Sequence, residues 1–259
     1  MKLYKIIPFV MLCIFSCATT DTVEHAQPKG SNSDLLDSIT LINDNAPLYY
    51  DITFTIEGLQ NNQKYKLIGN AQLDANLNLF CLSLTDFIFK SPISTVLSNN
   101  DETILYFPTE KRLFKYANNS LDLKTFWNIN LDYEIIRILA SCKIPLIAGY
   151  KVKGSESSAD KPSFLILENK NYYETITFKN NIPDKIKIMD KNDRSETDFH
   201  LLSPRKYNES LVYRKISVIS KSFSFDISIN SIRANTPVKV KTINDIKIPR
   251  DVVSTSIGR

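Results

Sequence analysis

The chain has 259 residues, with 32 Lys and Arg against 28 Asp and Glu and a formal charge of +4. So small an excess, with no basic block, leaves no electrostatic footprint for nucleic acid. Apolar residues make up 43% of the chain, enough for a sizeable core, while only 2 histidines and 6 glycines are available for metal or phosphate chemistry.

The N-terminus reads as an export signal. Lys2 and Lys5 supply the positive start, and Ile6 to Phe15 form an apolar run too short to span a bilayer. The run closes with Ile14-Phe15-Ser16-Cys17, which resembles the bacterial lipobox, a small residue followed by the cysteine that is acylated. The resemblance implies a signal peptide over residues 1–16, a diacylglyceryl group on the Cys17 thiol, and no other cofactor. Cys13 would leave with the signal. An ordinary secretory signal is the alternative. Lipidation would tie the chain to a membrane: each buried methylene contributes about 0.8 kcal/mol, and stable attachment needs more than one acyl chain. Ala18 follows the cysteine, not the aspartate that marks inner-membrane retention in enteric bacteria.

Residues 17–34 hold the modified cysteine and a polar stretch, "ATTDTVEHAQPKGSNSD", too poor in apolar side chains to form a core. They are expected to act as a flexible tether to one folded domain, residues 35–259. A short helix opens it, with Asp34 as N-cap and Leu35, Leu36, Ile39 and Ile42 on one face. At residue 48 the period changes to two. "YYDITFTIEG" sets Tyr50, Ile52, Phe54 and Ile56 against Asp51, Thr53, Thr55 and Glu57, as a half-buried strand does. Strands follow over 64–74 and 77–84. The latter is apolar on both faces and so expected to be covered on both sides. "SPISTVLS", "ETILYFP" and "KRLFKY" continue at connections too short for a crossover, which predicts an antiparallel meander.

Helical spacing then appears in "NINLDYEIIRILASCKIP", where Leu131, Ile135, Ile138, Leu139 and Cys142 share a face, Asn130 caps and Pro145 stops. A second short helix is expected near Leu121 to Trp127. Strands resume near 146–153, 163–169, 171–178, 185–190, 211–219 and 222–230, with an exposed loop from Gly154 to Pro162. Residues 236–259 add an edge strand. Cys81 and Cys142 could form a disulfide or stand as two buried thiols.

Catalytic patterns are sparse. His25 lies in the tether and His200 stands alone, with no Gly-x-Ser-x-Gly elbow and no metal-ligand spacing, so neither catalytic nor metal residues are assigned. A hydrolase centred on His200 is the least supported function. "LTDFIFKSP" is more informative. Phe87, Ile88 and Phe89 fall between the third and fourth strands, where alternation buries at most two of them. Either the strand extends to residue 89 with both faces covered, or an apolar tip is exposed for a membrane or protein contact.

The order of elements carries a resemblance over residues 48–237. It lies in "DITFTIEGLQNNQKYKLIGNAQLDANLNLFCLSLTDFIFKSPISTVLSNNDETILYFPTEKRLFKY", the helical "DYEIIRILASCKIPLI" and the late hairpin "VYRKISVISKSFSFDISINSIRANTP". The pattern resembles the Lol family of bacterial lipoprotein carriers and receptors, especially its lipidated outer-membrane member. The resemblance implies a mainly β fold: an incomplete antiparallel barrel, a curved sheet of about 10–12 strands, with short helices as lid or plug. It further implies a cavity for lipoprotein acyl chains, a periplasmic LolA-like carrier as partner, and a monomer in the outer membrane facing the periplasm. Phe87, Ile88 and Phe89 would be its membrane-inserting loop. Ile52, Phe54, Leu67, Leu79, Phe225 and Ile227 are the cavity-facing candidates, although the same side chains would serve equally as the core of a filled sandwich. In that case the chain would be a structural or surface-interaction lipoprotein.

Overall fold

Alternation of apolar and polar side chains governs most of the chain, and the backbone follows it. A computed structural model describes residues 32–60, 63–117, 121, 123, 125, 133–156 and 162–257. Strands β1 (Tyr49–Gln60), β2 (Gln63–Asp74), β3 (Leu79–Asp86), β4 (Pro92–Ser98), β5 (Glu102–Phe107) and β6 (Arg112–Ala117) form a first meander. A second contains β7 (Lys151–Glu156), β8 (Ser163–Glu168), β9 (Tyr172–Lys179), β10 (Ile182–Asp190), β11 (Glu196–Tyr207), β12 (Ser210–Ser220) and β13 (Phe223–Ala234). The sheet order is β14-β6-β5-β4-β3-β2-β1-β13-β12-β11-β10-β9-β8-β7, where β14 is Val253–Ile257. The two meanders thus meet at the antiparallel β1–β13 seam, and β14 runs parallel to β6.

The mainly β, unclosed half-barrel is as expected, with 14 strands in place of 10–12. The strand not foreseen is β11. Thr197, Phe199 and Leu201 alternate inward there, but Ser203-Pro204-Arg205-Lys206 is exposed and breaks the pattern, while Pro204 still pairs with Tyr213. The strand expected over 146–153 lies at Lys151–Glu156. Residues 143–147 instead form an irregular segment that buries Ile144 and Ile147 in the core. Asn43 brackets it, Oδ1 accepting from Ile144 N–H at 2.7 Å and Nδ2 donating to Ile144 O at 3.0 Å.

Helix α1 (Asn32–Asp44) packs against β7 and β8. Leu35 and Ile39 are buried and Leu36 and Ile42 pack beside them, while Asp34 sits inside the first turn and not at the cap. Helix α2 (Tyr133–Ala140) lies over the other half of the sheet's concave face. The expected cap Asn130, Leu131 and most of 121–127 fall outside the described residues; Leu123 and Thr125 are helical and Leu121 and Leu123 are buried. The expected signal, Cys17 and most of the expected tether also lie outside them.

One irregularity in the seam keeps the core continuous. Thr53 pairs with Ser231 but Phe54 pairs with Ile229, so Asn230 is an extra residue on β13. Before it Phe225, Ile227 and Ile229 face inward; after it Ile232 does. The bulge absorbs the one-residue phase change in the sequence and adds twist.

The first meander is covered on both faces. Residues 238–252 lay Val238, Val240, Ile243, Ile246, Ile248 and Val252 across Cys81, Leu97, Ile104, Tyr106 and Leu113 on its outer side. This is why β5 reads as an uninterrupted apolar run, whereas β9, wet on one side, alternates.

Candidate functional site

Curvature of the sheet and the position of α2 leave space between them. The space is a cavity of about 500 Å³, within the range of small-molecule sites. Its interior is therefore not that of a filled sandwich. Ile52, Phe54, Leu67, Phe225 and Ile227 line it, joined by Leu82, Leu84 and Val96 from the first meander. Leu79 does not line it. As a residue of odd parity on β3 it points to the outer face, where it packs with the Cys81 cluster beneath the C-terminal segment. The lid side is formed by Tyr133, Ile136, Leu139 and Ala140 of α2.

Two glycines shape the floor. Phe54 lies directly across from Gly69, and a Cβ on Gly69 would come 2.1 Å from the Phe54 ring. Gly58 sits opposite both Tyr65 and Phe225, and a Cβ there would come 2.4 Å from the Tyr65 ring. A Cβ at either glycine would therefore collide with an aromatic ring of the cavity lining, and its absence gives that ring room against the sheet. A mid-strand glycine with an aromatic in the pairing register was the sequence signal for these positions, and the sequence reading did not use it.

The end of α2 is a Schellman motif. Lys143 N–H donates to Ile138 O at 3.2 Å and Cys142 N–H to Leu139 O at 3.0 Å, with Cys142 at φ 58°. That left-handed position usually goes to glycine; here it turns a thiol into the cavity wall. Cys81 and Cys142 are free thiols, and they lie on opposite faces of the sheet. Burial pushes the Cys142 thiol up to about 12, and burial likewise pushes the Tyr133 phenol up to about 12 against the hydrogen bond it shares with Ser98, 3.2 Å away. Tyr213 is raised well above the phenol range by burial, and its hydroxyl donates to Pro183 O at 2.6 Å. Behind the exposed Lys64 and Lys143 at the mouth, the walls are therefore apolar or neutral.

Among the described residues no group of three His, Cys, Asp and Glu side chains could hold a metal ion. His200 is half-buried on the outer side of β11, opposite in parity to the buried Phe199. No helix among the described residues is long and apolar enough to cross a membrane.

The tip of the β3–β4 turn is exposed. Strand β3 ends at Asp86, whose Oδ1 accepts from Ile88 N–H at 2.9 Å and Phe89 N–H at 2.7 Å. That fixes the turn and leaves Ile88 and Phe89 77% and 80% exposed. Phe87 is 37% exposed, and Lys66 and Lys90 place their ammonium groups 4.3 Å and 4.6 Å from its ring centre. The strand does not extend to residue 89.

No protein-family profile matches the chain, and no curated protein sequence does. Solved structures do. An outer membrane lipoprotein-sorting protein domain from Vibrio parahaemolyticus superposes with a TM-score of 0.58 at 13% identity, covering 83% of this chain and 94% of that one. A LolA superfamily protein from Nitrosomonas europaea gives 0.57 at 8% identity, covering 79% and 94%. A DUF1329 family protein from Desulfovibrio piger gives 0.59 at 11% identity, covering 80% and 94%. The curved sheet, its helical lid and these superpositions together show that the chain has a LolA-like fold.

Proposed function

We propose that this chain binds acyl chains: a protein held to the outer membrane by a lipid on Cys17, facing the periplasm, that accepts lipoproteins from a LolA-like periplasmic carrier and inserts them in that membrane. The observation that carries the reading is the open, apolar cavity between sheet and lid. The likeness of fold to a lipoprotein-sorting domain supports it. So does the rigid apolar tip, whose exposed Ile88 and Phe89 suit insertion into a bilayer.

The mechanism needs no covalent step. Sheltering a hydrocarbon tail from water contributes about 25 cal/mol per Å² of apolar area removed. Neutral walls add no desolvation cost, because no charge has to be buried with the tail. Net transfer then depends on order: the cavity must hold the chains more favourably than the carrier does and less favourably than the bilayer.

The test is titration of a fluorescent fatty acid into residues 17–259 with Cys17→Ser. Saturable binding is expected. Phe54→Lys should abolish it, and Leu79→Gln, on the outer face, should leave it intact. Equal loss in both variants, or no binding by the parent, removes the proposal.

A further inference from the structure

The cavity lining contains charge of one sign only. Lys64 and Lys143 are its charged residues, and no carboxylate accompanies them. They lie on different walls. Lys64 stands at the start of β2, where the alternation that turns Tyr65 and Leu67 inward leaves its side chain at the mouth and outside the interior. Lys143 follows the lid helix, its backbone fixed by the hydrogen bond to Ile138 O that completes the helix end. Both side chains are exposed, so both ammonium groups stay hydrated at the rim while the walls behind them are apolar. Neither is ion-paired among the described residues.

An apolar interior with a rim that is only cationic is complementary to one kind of molecule, a hydrocarbon tail ending in an anion. We infer that the cavity selects lipids with an anionic head, a carboxylate or a phosphate, over neutral lipids of the same chain length. This rests on the acyl-chain reading above and goes beyond it, because tail burial alone is indifferent to the head. An ammonium reads a carboxylate and a phosphate alike as point charges. The shared chemistry is therefore an anionic oxygen group at the end of an acyl or alkyl chain.

The experiment is calorimetric titration of residues 17–259 with Cys17→Ser, at low salt and below micelle-forming concentrations. Three ligands of one chain length are used: laurate, dodecyl phosphate and 1-monolauroylglycerol. Both anions should bind more tightly than the neutral ester, and the tighter of the two assigns the source as free fatty acid or lipid phosphate. Lys64→Gln and Lys143→Gln should each weaken the anions by up to about fivefold, the scale of one exposed ion pair. Neither should change binding of the ester, and molar salt should erase the preference. Equal affinity for anion and ester, or an unchanged preference in the double variant, overturns the head-group inference and leaves tail binding standing. Failure of all three ligands to bind overturns the acyl reading and this inference with it.

Discussion

Glu174 is an acid in an oily place. It sits on β9 with 0% of its surface exposed, between Leu167 and Ile188 in the ladder. One carboxylate oxygen accepts from Ile147 N–H at 3.0 Å, and the other has no partner among the described residues. Burial raises its pKa to about 8, against the opposing effect of the Ile147 hydrogen bond. The folded state therefore keeps a proton that the unfolded chain has released, in the window between about pH 4.5 and pH 8. Stability should fall across that window as pH rises, by about 1.4 kcal/mol per pH unit from this group, and level off above it. Urea unfolding of Glu174→Gln from pH 5 to pH 8.5 should show that slope reduced; an unchanged slope would mean that the carboxyl titrates normally.

At the scale of elements, the β3–β4 turn separates two jobs. Asp86 holds its shape, and Ile88 and Phe89 make no contribution to the core. The variant Ile88→Glu with Phe89→Glu should therefore unfold within about 0.5 kcal/mol of the parent, as surface changes do. Fatty-acid binding should be unchanged, while association with phospholipid vesicles drops several-fold in a flotation assay. Full vesicle association by the variant would exclude insertion by this turn. Elements of this kind were legible in the sequence because their period is unambiguous. Tyr50, Ile52 and Phe54 point one way, and so do Phe223, Phe225 and Ile227. Legibility failed where a neighbour decides the outcome. Leu79 and Phe80 are both apolar, and only the C-terminal segment lying over Cys81 tells which face is the cavity. Pro204 hides β11 because a proline's lost donor is tolerated at a position the sequence cannot place. The emptiness of the interior was not legible at all: cavity walls and filled cores are built from the same residues.

For the whole molecule, the C-terminal segment turns half of a one-sided sheet into a two-sided one. Ending the chain at Asn235 would expose Cys81, Leu97, Ile104, Tyr106 and Leu113. Burying such a side chain contributes about 1.5–3 kcal/mol, so the loss should reach several kcal/mol. The melting temperature should fall by about 10 °C or more, with dye-binding apolar surface appearing; an unshifted melt would show that the segment merely drapes. The β1–β13 seam bears on time as well as on strength. Tyr50 pairs with Ala234, and the neighbouring pairs are similarly remote in the chain. Local hairpins form in microseconds, but contacts of such sequence separation come late. Until residues 223–234 arrive, β1 presents a twelve-residue strand with one edge unpaired, which is a template for joining another chain. Folding of this protein thus includes an interval in which this edge is open, and a holding chaperone that covers β1 during that interval would act on yield without touching the finished fold.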